Sequence, residues 1–241
     1  IAEHGDELAC VILEPVFSNI GYVSASEQFI GKLREATRKH GILLIFDEVQ
    51  SFRLSQGGAQ EVLGIEPDLT TFGKIIGGGM PVGAWGGRSE LMELYNPATG
   101  PVIEHSGTFN ANPVTMVAGE ATLNQLTQQK YSELNEMGER VRSELQTVFD
   151  ELDVPARVTG MGSLFGMHFC NHDVVDYRSM KLADQQMKRA MFKGMLDQGI
   201  LLFGKCTGAL SLATGEIEIE RLIDSARHVA STTLKNMGKQ R

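Results

Sequence analysis

The sequence predicts an α/β fold built on a largely parallel sheet with helices on both faces, followed by a smaller α+β domain. Apolar runs at residues 8–13, 42–46 and 69–72 have the length and composition of buried strands. A helical pattern that starts after Ser26 and ends at Gly41 separates the first two runs. Strands that alternate with helices in this way are typical of parallel sheets.

The remaining elements follow from the same patterns. In the first helix, Phe29, Leu33 and Ala36 stand at helical spacing. Further strands are expected at residues 82–85, within 155–169, at 200–203 and at 209–213. Further helices are expected at 113–149, with a break near 128–132, at 180–198 and at 216–237. The predicted boundary divides a large domain, residues 1–130, from a small C-terminal domain, residues 131–241.

Composition argues against several classes of function. The net charge of −8 and the pI near 5.3 argue against a nucleic-acid partner and an anionic membrane surface. No apolar run approaches the roughly 20 residues that span a bilayer. The cysteines form no Cys-x-x-Cys pair and predict free thiols, which fit the reducing cytoplasm. The histidines show no metal-ligand spacing, so no metal site is predicted.

Charged residues stand at the carboxyl ends of the predicted strands, where open α/β sheets bind ligands. They are Glu14, Asp47 and Lys74. Asp47 is expected either to cap a helix or form a local salt bridge with Arg53, or to hold a proton on a heterocyclic nitrogen. Lys74 stands between a glycine and an apolar pair. It is expected either to reach water from a strand end or, if desolvated, to act as an amine nucleophile toward an aldehyde.

Glycine and hydroxyl residues raise the question of an anion site. The turn at residues 77–79 is all glycine but lacks the spacing of known nucleotide-binding loops, so a nucleotide site is a minor alternative. Ser106, Gly107 and Thr108 precede a predicted helix. They are expected either to bind a phosphate-like anion or to cap that helix.

Several segments together resemble one known family. They read Ile-Phe-Asp-Glu-Val at 45–49, Thr-Phe-Gly-Lys-Ile-Ile-Gly-Gly-Gly-Met-Pro-Val-Gly-Ala at 71–84 and Gly-Thr-Phe-Asn-Ala-Asn-Pro at 107–113. In this order they resemble the class III aminotransferases, which depend on pyridoxal phosphate, and most of all the glutamate-1-semialdehyde aminomutase-like branch. The resemblance is strong over residues 7–119 and loose over the rest.

The resemblance implies a fold-type-I enzyme, usually a homodimer whose active sites lie at the subunit interface. By match to the motifs, Lys74 would hold pyridoxal phosphate as a Schiff base. Asp47 would pair with the ring nitrogen of the cofactor, and Val49 would pack against the ring.

The resemblance extends to residues outside these strand ends. Asn19 and Gln50 would lie near the ring oxygen of the cofactor. Gly107 and Thr108 would reach the phosphate of the neighbouring subunit's cofactor. The partners would be a small-molecule amino donor and acceptor.

The chain also departs from the family pattern. Family chains are longer on the N-terminal side, which supplies a phosphate loop and an aromatic residue that stacks on the cofactor, so a fragment with weak or no activity is expected. The loop at residues 50–53 is one residue shorter than in true aminomutases, and residues 207–212 replace an acidic, aromatic segment. Amino-group transfer between two molecules is therefore the main expectation. The alternatives are an intramolecular aminomutase and a non-catalytic fragment that serves only in assembly.

Overall fold

The structure, a computed structural model, describes residues 1–100, 103–204 and 206–238. The chain divides into two compact units. The first comprises Ile1–Pro15 and Ala25–Tyr131, and the second comprises Val16–Ser24 and Ser132–Arg241. The short segment Val16–Ser24 therefore groups with residues far along the chain.

The helices and strands alternate through both units. The strands are β1 (Cys10–Leu13), β2 (Val16–Phe17), β3 (Val23–Ser24), β4 (Leu43–Asp47), β5 (Leu69–Gly73), β6 (Gly83–Gly87), β7 (Arg157–Thr159), β8 (Leu164–His168) and β9 (Thr207–Ala209). The α-helices are α1 (Glu27–Lys39), α2 (Gly58–Leu63), α3 (Ser89–Met92), α4 (Pro113–Leu123), α5 (Gln128–Glu151), α6 (Tyr177–Lys181), α7 (Gln185–Asp197) and α8 (Glu216–Gly238). Every helix in the described residues is too short or too polar to cross a bilayer.

The sheet of the first unit has the order β1-β4-β5-β6. β4 runs parallel to both β1 and β5, and β6 returns antiparallel along β5. The prediction of a largely parallel sheet is thus confirmed. The expectation that β1 is buried on both faces is wrong, since Cys10 is exposed and Ile12 is 57% exposed. In the described part of the chain, β1 is an edge strand with a neighbour on one side only.

Helix α1 starts as predicted, directly after Ser26. The Ser26 side chain accepts a hydrogen bond from the Phe29 N–H at 3.2 Å, which caps the helix. The buried residues of α1 are Ile30, Arg34 and Thr37. Phe29, one of the residues at helical spacing, is 51% exposed, whereas the charged residue Arg34 is buried.

A buried ion-pair network holds the amino end of β5. The Asp68 carboxylate accepts hydrogen bonds from Arg34 at 2.6 and 3.0 Å, from the Leu44 N–H at 2.7 Å and from Arg88 at 2.8 Å. Burial alone would raise the pKa of the Asp68 carboxyl, but these bonds outweigh it and hold the pKa well below its usual range. The network therefore joins α1, β4 and the start of β5 through one carboxylate.

The second unit is built around an antiparallel sheet in the order β7-β8-β9. Helices α5, α7 and α8 contribute apolar side chains to a core that includes Leu145, Phe149, Met167, Met191, Met195 and Ile219. Antiparallel strands packed with helices agree with the expected α+β character of this part of the chain.

Some elements of this unit differ from the predictions. The described residues 200–203 form no strand, and Phe203 makes only an isolated bridge to Thr207. The strand expected at 209–213 is found at Thr207–Ala209. The helix expected at 180–198 is two helices, because the Asp184 carboxylate accepts the N–H groups of Gln186 and Met187 and starts α7 anew.

Gly138 marks a backbone contact between α5 and the β7–β8 turn. A Cβ added at Gly138 would lie 1.9 Å from the carbonyl oxygen of Gly162. We expect Gly138→Ala to lower the free energy of unfolding by about 1–3 kcal/mol, since a backbone oxygen cannot move aside as a side chain can. Gly31→Ala in α1 is the matched control, because its Cβ would meet nothing within 4 Å. Gly31→Ala should raise the free energy of unfolding by about 0.5–1 kcal/mol. Denaturant titration measures both variants, and equal stabilities would contradict the close approach of Gly138 to the Gly162 carbonyl oxygen.

His168 makes the stability of the second unit depend on pH. Burial, together with the charge of Lys188, lowers the pKa of His168 from 6.5 to about 4, although a hydrogen bond with Gly21 opposes the shift. His168 becomes protonated near pH 6.5 in the unfolded chain but only near pH 4 in the folded chain. Stability due to this group is therefore complete above pH 6.5 and falls with pH, by on the order of 3 kcal/mol over this window.

A comparison of the wild type with His168→Gln tests this pH dependence. We expect the gap in unfolding free energy between the wild type and His168→Gln to narrow as pH falls from 7 toward 4, in the window that the pKa defines. Denaturant titration at intervals across this range measures the gap. A gap that stays constant with pH would show that His168 is protonated equally in the folded and unfolded chains.

Candidate functional site at the carboxyl edge of the first sheet

The sheet of the first unit brings its strand-end residues together. Glu14 follows β1, Asp47 ends β4 and Lys74 follows β5. Because β1, β4 and β5 are parallel neighbours, their carboxyl ends lie at one edge of the sheet. The three residues, which are far apart in the sequence, therefore share this edge, as the strand pattern predicts.

Asp47 accepts its described hydrogen bonds through one carboxylate oxygen. Its Oδ1 accepts the Thr71 hydroxyl at 3.2 Å and the Val49 N–H at 3.1 Å. The second bond is an Asx turn, in which the side chain binds the backbone N–H two residues on. It caps no helix, because the 3₁₀ helix that follows, Ser51–Leu54, has Gln50 at its N-cap and no side-chain cap. Both described hydrogen bonds reach Oδ1, so Oδ2 is the oxygen that the described residues leave to an outside donor.

Lys74 has an unusual backbone conformation. It begins the 3₁₀ helix Lys74–Gly77 with a φ of +48°. A residue with a Cβ pays about 1–3 kcal/mol to remain in this region, and such strain is concentrated at functional sites. The side chain is exposed in the described chain rather than desolvated, and its backbone geometry is the feature that sets it apart from an ordinary surface lysine.

Helix α4 holds the lysine turn by direct backbone contact. A Cβ at Gly119 would lie 2.2 Å from the carbonyl oxygen of Ile76. A Cβ at Gly78, where φ is +58°, would lie 2.1 Å from the carbonyl oxygen of Ala118. Only glycine fits at both positions, so the turn that carries Lys74 is fixed between β5 and α4.

Val49 packs beside the last residue of β5. A Cβ at Gly73 would lie 3.2 Å from Val49 Cγ1, so the valine side chain covers the last residue of β5, directly before Lys74. Gln50 follows and starts the 3₁₀ helix Ser51–Leu54. Thus Asp47, Val49 and Lys74 are neighbours at one place in the fold, and Gln50 borders it.

Gly107 and Thr108 lie in a separate, exposed segment. The helix that follows them, α4, is capped by Asn112, whose side chain accepts the N–H groups of Val114 at 3.1 Å and Thr115 at 3.3 Å. The reading of Ser106–Thr108 as the cap of this helix is therefore wrong. No described hydrogen bond joins Gly107 or Thr108 to Asp47, Val49 or Lys74.

Asn19 belongs to the second unit, in the 3₁₀ helix Ser18–Ile20. Its side chain is exposed. Its expected place near the cofactor stays a prediction.

Glu48 is a functional candidate that the sequence reading missed. It is 0% exposed, and its carboxylate accepts the N–H groups of Ala59 and Gln60 and the side chains of Ser51 and Gln60. The available signal was the pair Asp47-Glu48 after an apolar strand, because adjacent residues of a strand face opposite sides. If Asp47 faces the ligand edge, Glu48 faces the opposite side, where its carboxylate needs hydrogen-bond partners within the protein.

An apolar cavity of about 1040 Å³ lies elsewhere in the first unit. Its lining includes Phe72, Ile76, Trp85, Tyr95 and Met116. Lys74 and Asp47 are not among its lining residues, so it is distinct from the strand-end site. Among the described residues, no group of three or more His, Cys, Asp or Glu side chains could hold a metal ion.

Comparison with known proteins identifies the family to which this chain is similar. Residues 1–214 match the family model described as Aminotransferase class-III. A glutamate-1-semialdehyde 2,1-aminomutase from a Sulfurihydrogenibium species is 47% identical over 214 residues, which are 88% of this chain and 50% of that protein. The chain spans about half the length of the curated relatives it matches.

Several solved structures are also similar to this chain in sequence and in fold. An omega-transaminase from Sphaerobacter thermophilus is 42% identical with a TM-score of 0.92, over 95% of this chain and 53% of that one. A structure described as a transaminase with PLP bound is 35% identical with a TM-score of 0.88, over 98% of this chain and 55% of that one. The α/β fold inferred from the strand pattern is confirmed by these similarities.

Proposed function

Because this chain belongs to the class III aminotransferase family, we propose that it forms part of an enzyme that moves amino groups with pyridoxal phosphate carried on Lys74. The observation that supports the proposal most is the convergence of Asp47 and Lys74 at the carboxyl ends of adjacent parallel strands. An acid and an amine at the ligand-binding edge of such a sheet are what this chemistry needs.

The residues at this edge fit the cofactor. Oδ2 of Asp47 would accept a donor such as a protonated ring nitrogen, since the described bonds use Oδ1. Val49 presents an apolar surface beside Gly73, which has no side chain to occupy the space there. Lys74 is held by its turn with an exposed amine. When bound, pyridoxal phosphate withdraws electrons from the substrate carbon that bears the amino group.

The chain's own residues then have separate roles. The Asp47 carboxylate holds the proton on the ring nitrogen, because a nearby negative charge favours the protonated form. The Lys74 amine would hold the cofactor and, once an incoming amine has freed it, would remove a proton from the substrate carbon that bears the amino group as a general base and return it as a general acid. Val49 orients the ring between these two groups.

Further site residues and partners are part of the same proposal. Gly107 and Thr108 would bind the cofactor phosphate of a second subunit in a homodimer with shared active sites. Asn19 and Gln50 would lie near the ring oxygen. Since the chain covers about half of its relatives, the substrates, a small-molecule amino donor and an acceptor, belong to the whole enzyme, which we place in the cytoplasm.

Amino-group transfer between two molecules is the reaction we favour. The loop at residues 50–53 and the segment at 207–212 depart from the aminomutase pattern. An intramolecular aminomutase is the second candidate, because the relative that shares 47% identity carries that name. The two are separated by adding a keto acid: only the intermolecular reaction requires it as amino acceptor.

Cofactor capture tests the proposal directly. The wild-type chain is mixed with pyridoxal phosphate, reduced with borohydride and analysed by intact mass and peptide mapping. We expect one covalent label, on Lys74. A label spread over surface lysines, or none, would contradict the proposal, and dimerisation without capture would favour the non-catalytic assembly role.

A further inference from the structure

A second carboxylate lies directly behind the proposed cofactor site. Glu48 follows Asp47 and continues the sheet ladder, since its N–H donates to the Thr71 carbonyl oxygen at 3.0 Å. The two acids have different partners: Asp47 accepts the Thr71 hydroxyl, while Gln60, a partner of Glu48, donates to the Thr70 hydroxyl at 3.4 Å. Because Thr70 and Thr71 alternate along β5, Glu48 lies on the face of the sheet opposite to Asp47.

Glu48 caps helix α2 from outside that helix. Its carboxylate accepts the Ala59 N–H at 2.6 Å and the Gln60 N–H at 3.0 Å. These donors belong to the first turn of α2, which has no side-chain cap of its own. Gly58 makes the approach feasible, because its φ is +76° and a Cβ there would lie 2.6 Å from the Glu48 carboxylate.

The cap closes a loop that carries the cofactor contacts. Glu48 also accepts the Ser51 hydroxyl at 3.0 Å, so it binds the loop in the middle as well as at α2. Val49 and Gln50 are the residues between Glu48 and Ser51. This short segment is therefore held by Glu48 and by the bond between Asp47 and the Val49 N–H, and the Val49 side chain lies beside Gly73.

We propose that Glu48 is a positioning residue, which fixes Asp47 and Val49 in the orientation that receives the cofactor ring. The inference rests on the proposed function, because it concerns how well this edge of the sheet accepts pyridoxal phosphate. Four hydrogen bonds converge on this one fully buried carboxylate. Their common effect is to fix the backbone of residues 47–51.

The test compares two isosteric substitutions of buried carboxylates in the same unit. In Glu48→Gln, an NH₂ group, which donates hydrogen bonds, replaces a carboxylate oxygen that accepts them, and it would face N–H donors. Asp68→Asn is the matched control, because Asp68 is as deeply buried but stands at the amino end of β5. Borohydride capture of pyridoxal phosphate on Lys74 is measured over a range of cofactor concentrations, at a temperature where circular dichroism shows all three proteins folded.

We expect Glu48→Gln to weaken capture by about tenfold or more, as the loss of hydrogen bonds to a charged group predicts, and Asp68→Asn to change it less than about threefold. Two further measurements separate positioning from mere structure. Amide exchange should accelerate over residues 49–60 in Glu48→Gln alone. The pH dependence of the visible absorbance of the bound cofactor, measured before borohydride is added, should shift in Glu48→Gln alone, since protonation of the imine on Lys74 depends on the contact between Asp47 and the ring nitrogen.

Each contrary result has a distinct meaning. Wild-type capture by Glu48→Gln, even with faster exchange in the loop, would overturn the inference and leave the proposed function standing. Equal losses in Glu48→Gln and Asp68→Asn would overturn it too, because general destabilisation would then explain both. A wild-type chain that captures no cofactor would overturn the proposed function and the inference with it.

Discussion

Lys74→Ala should abolish covalent capture of pyridoxal phosphate by this chain. The amine at this position is the group proposed to bind the cofactor aldehyde, and alanine offers no substitute. In an assembled enzyme that turns over, amino-group transfer should fall by about 100-fold or more, because proton transfer by a positioned side chain contributes 10² to 10⁴. Intact mass after borohydride reduction measures the label, and amino-group transfer from donor to keto acid measures the rate.

A surface lysine provides the control for this result. Lys32 lies on the exposed side of α1, and Lys32→Ala should capture the cofactor as the wild type does. If Lys74→Ala retains the label while Lys32→Ala loses it, the cofactor is carried elsewhere. If both retain it, capture is nonspecific and the assignment of Lys74 is wrong.

Asp68→Ala should cost more stability than any other single change considered for the first unit. The substitution leaves Arg34, which is 8% exposed, without the carboxylate that it binds through two nitrogens. Breaking one side of a buried ion pair typically lowers the free energy of unfolding by about 3–5 kcal/mol, because an uncompensated charge stays in the interior. Denaturant titration at pH 7 measures this loss.

The control and the pH dependence of this effect both follow from the network. Glu90 pairs with Arg88 at the exposed rim of the same network, and Glu90→Ala should stay close to wild type. Because the folded-state pKa of Asp68 is lowered, its contribution is complete above about pH 4, the pKa of an unfolded aspartate, and is lost as pH falls further. The gap between wild type and Asp68→Ala should therefore narrow in acid, and a gap independent of pH would contradict the assigned charge state.

Local sequence patterns predicted most element types and the strand ends. The apolar run at residues 42–46 and the acid that follows it place β4 and Asp47 nearly where they are found, because strand length and the break at a charged residue are local properties. Helix α1 could be placed from Ser26 for the same reason. The predictions failed where a strand depends on a partner strand to pair with. Residues 200–203 have the composition of a strand but form only an isolated bridge, through Phe203.

The sequence by itself determined the order of strands and helices, and it singled out Asp47 and Lys74 as strand-end groups. Only the tertiary structure decided which charges are buried and how the lysine is held. Arg34 is buried because Asp68, 34 residues away, meets it, and Glu48 is buried because α2 folds back over it. The positive φ of Lys74 is tolerated because α4 packs against its turn. Burial of a charge or retention of backbone strain depends on partners that only the folded chain brings near, and no local pattern encodes them.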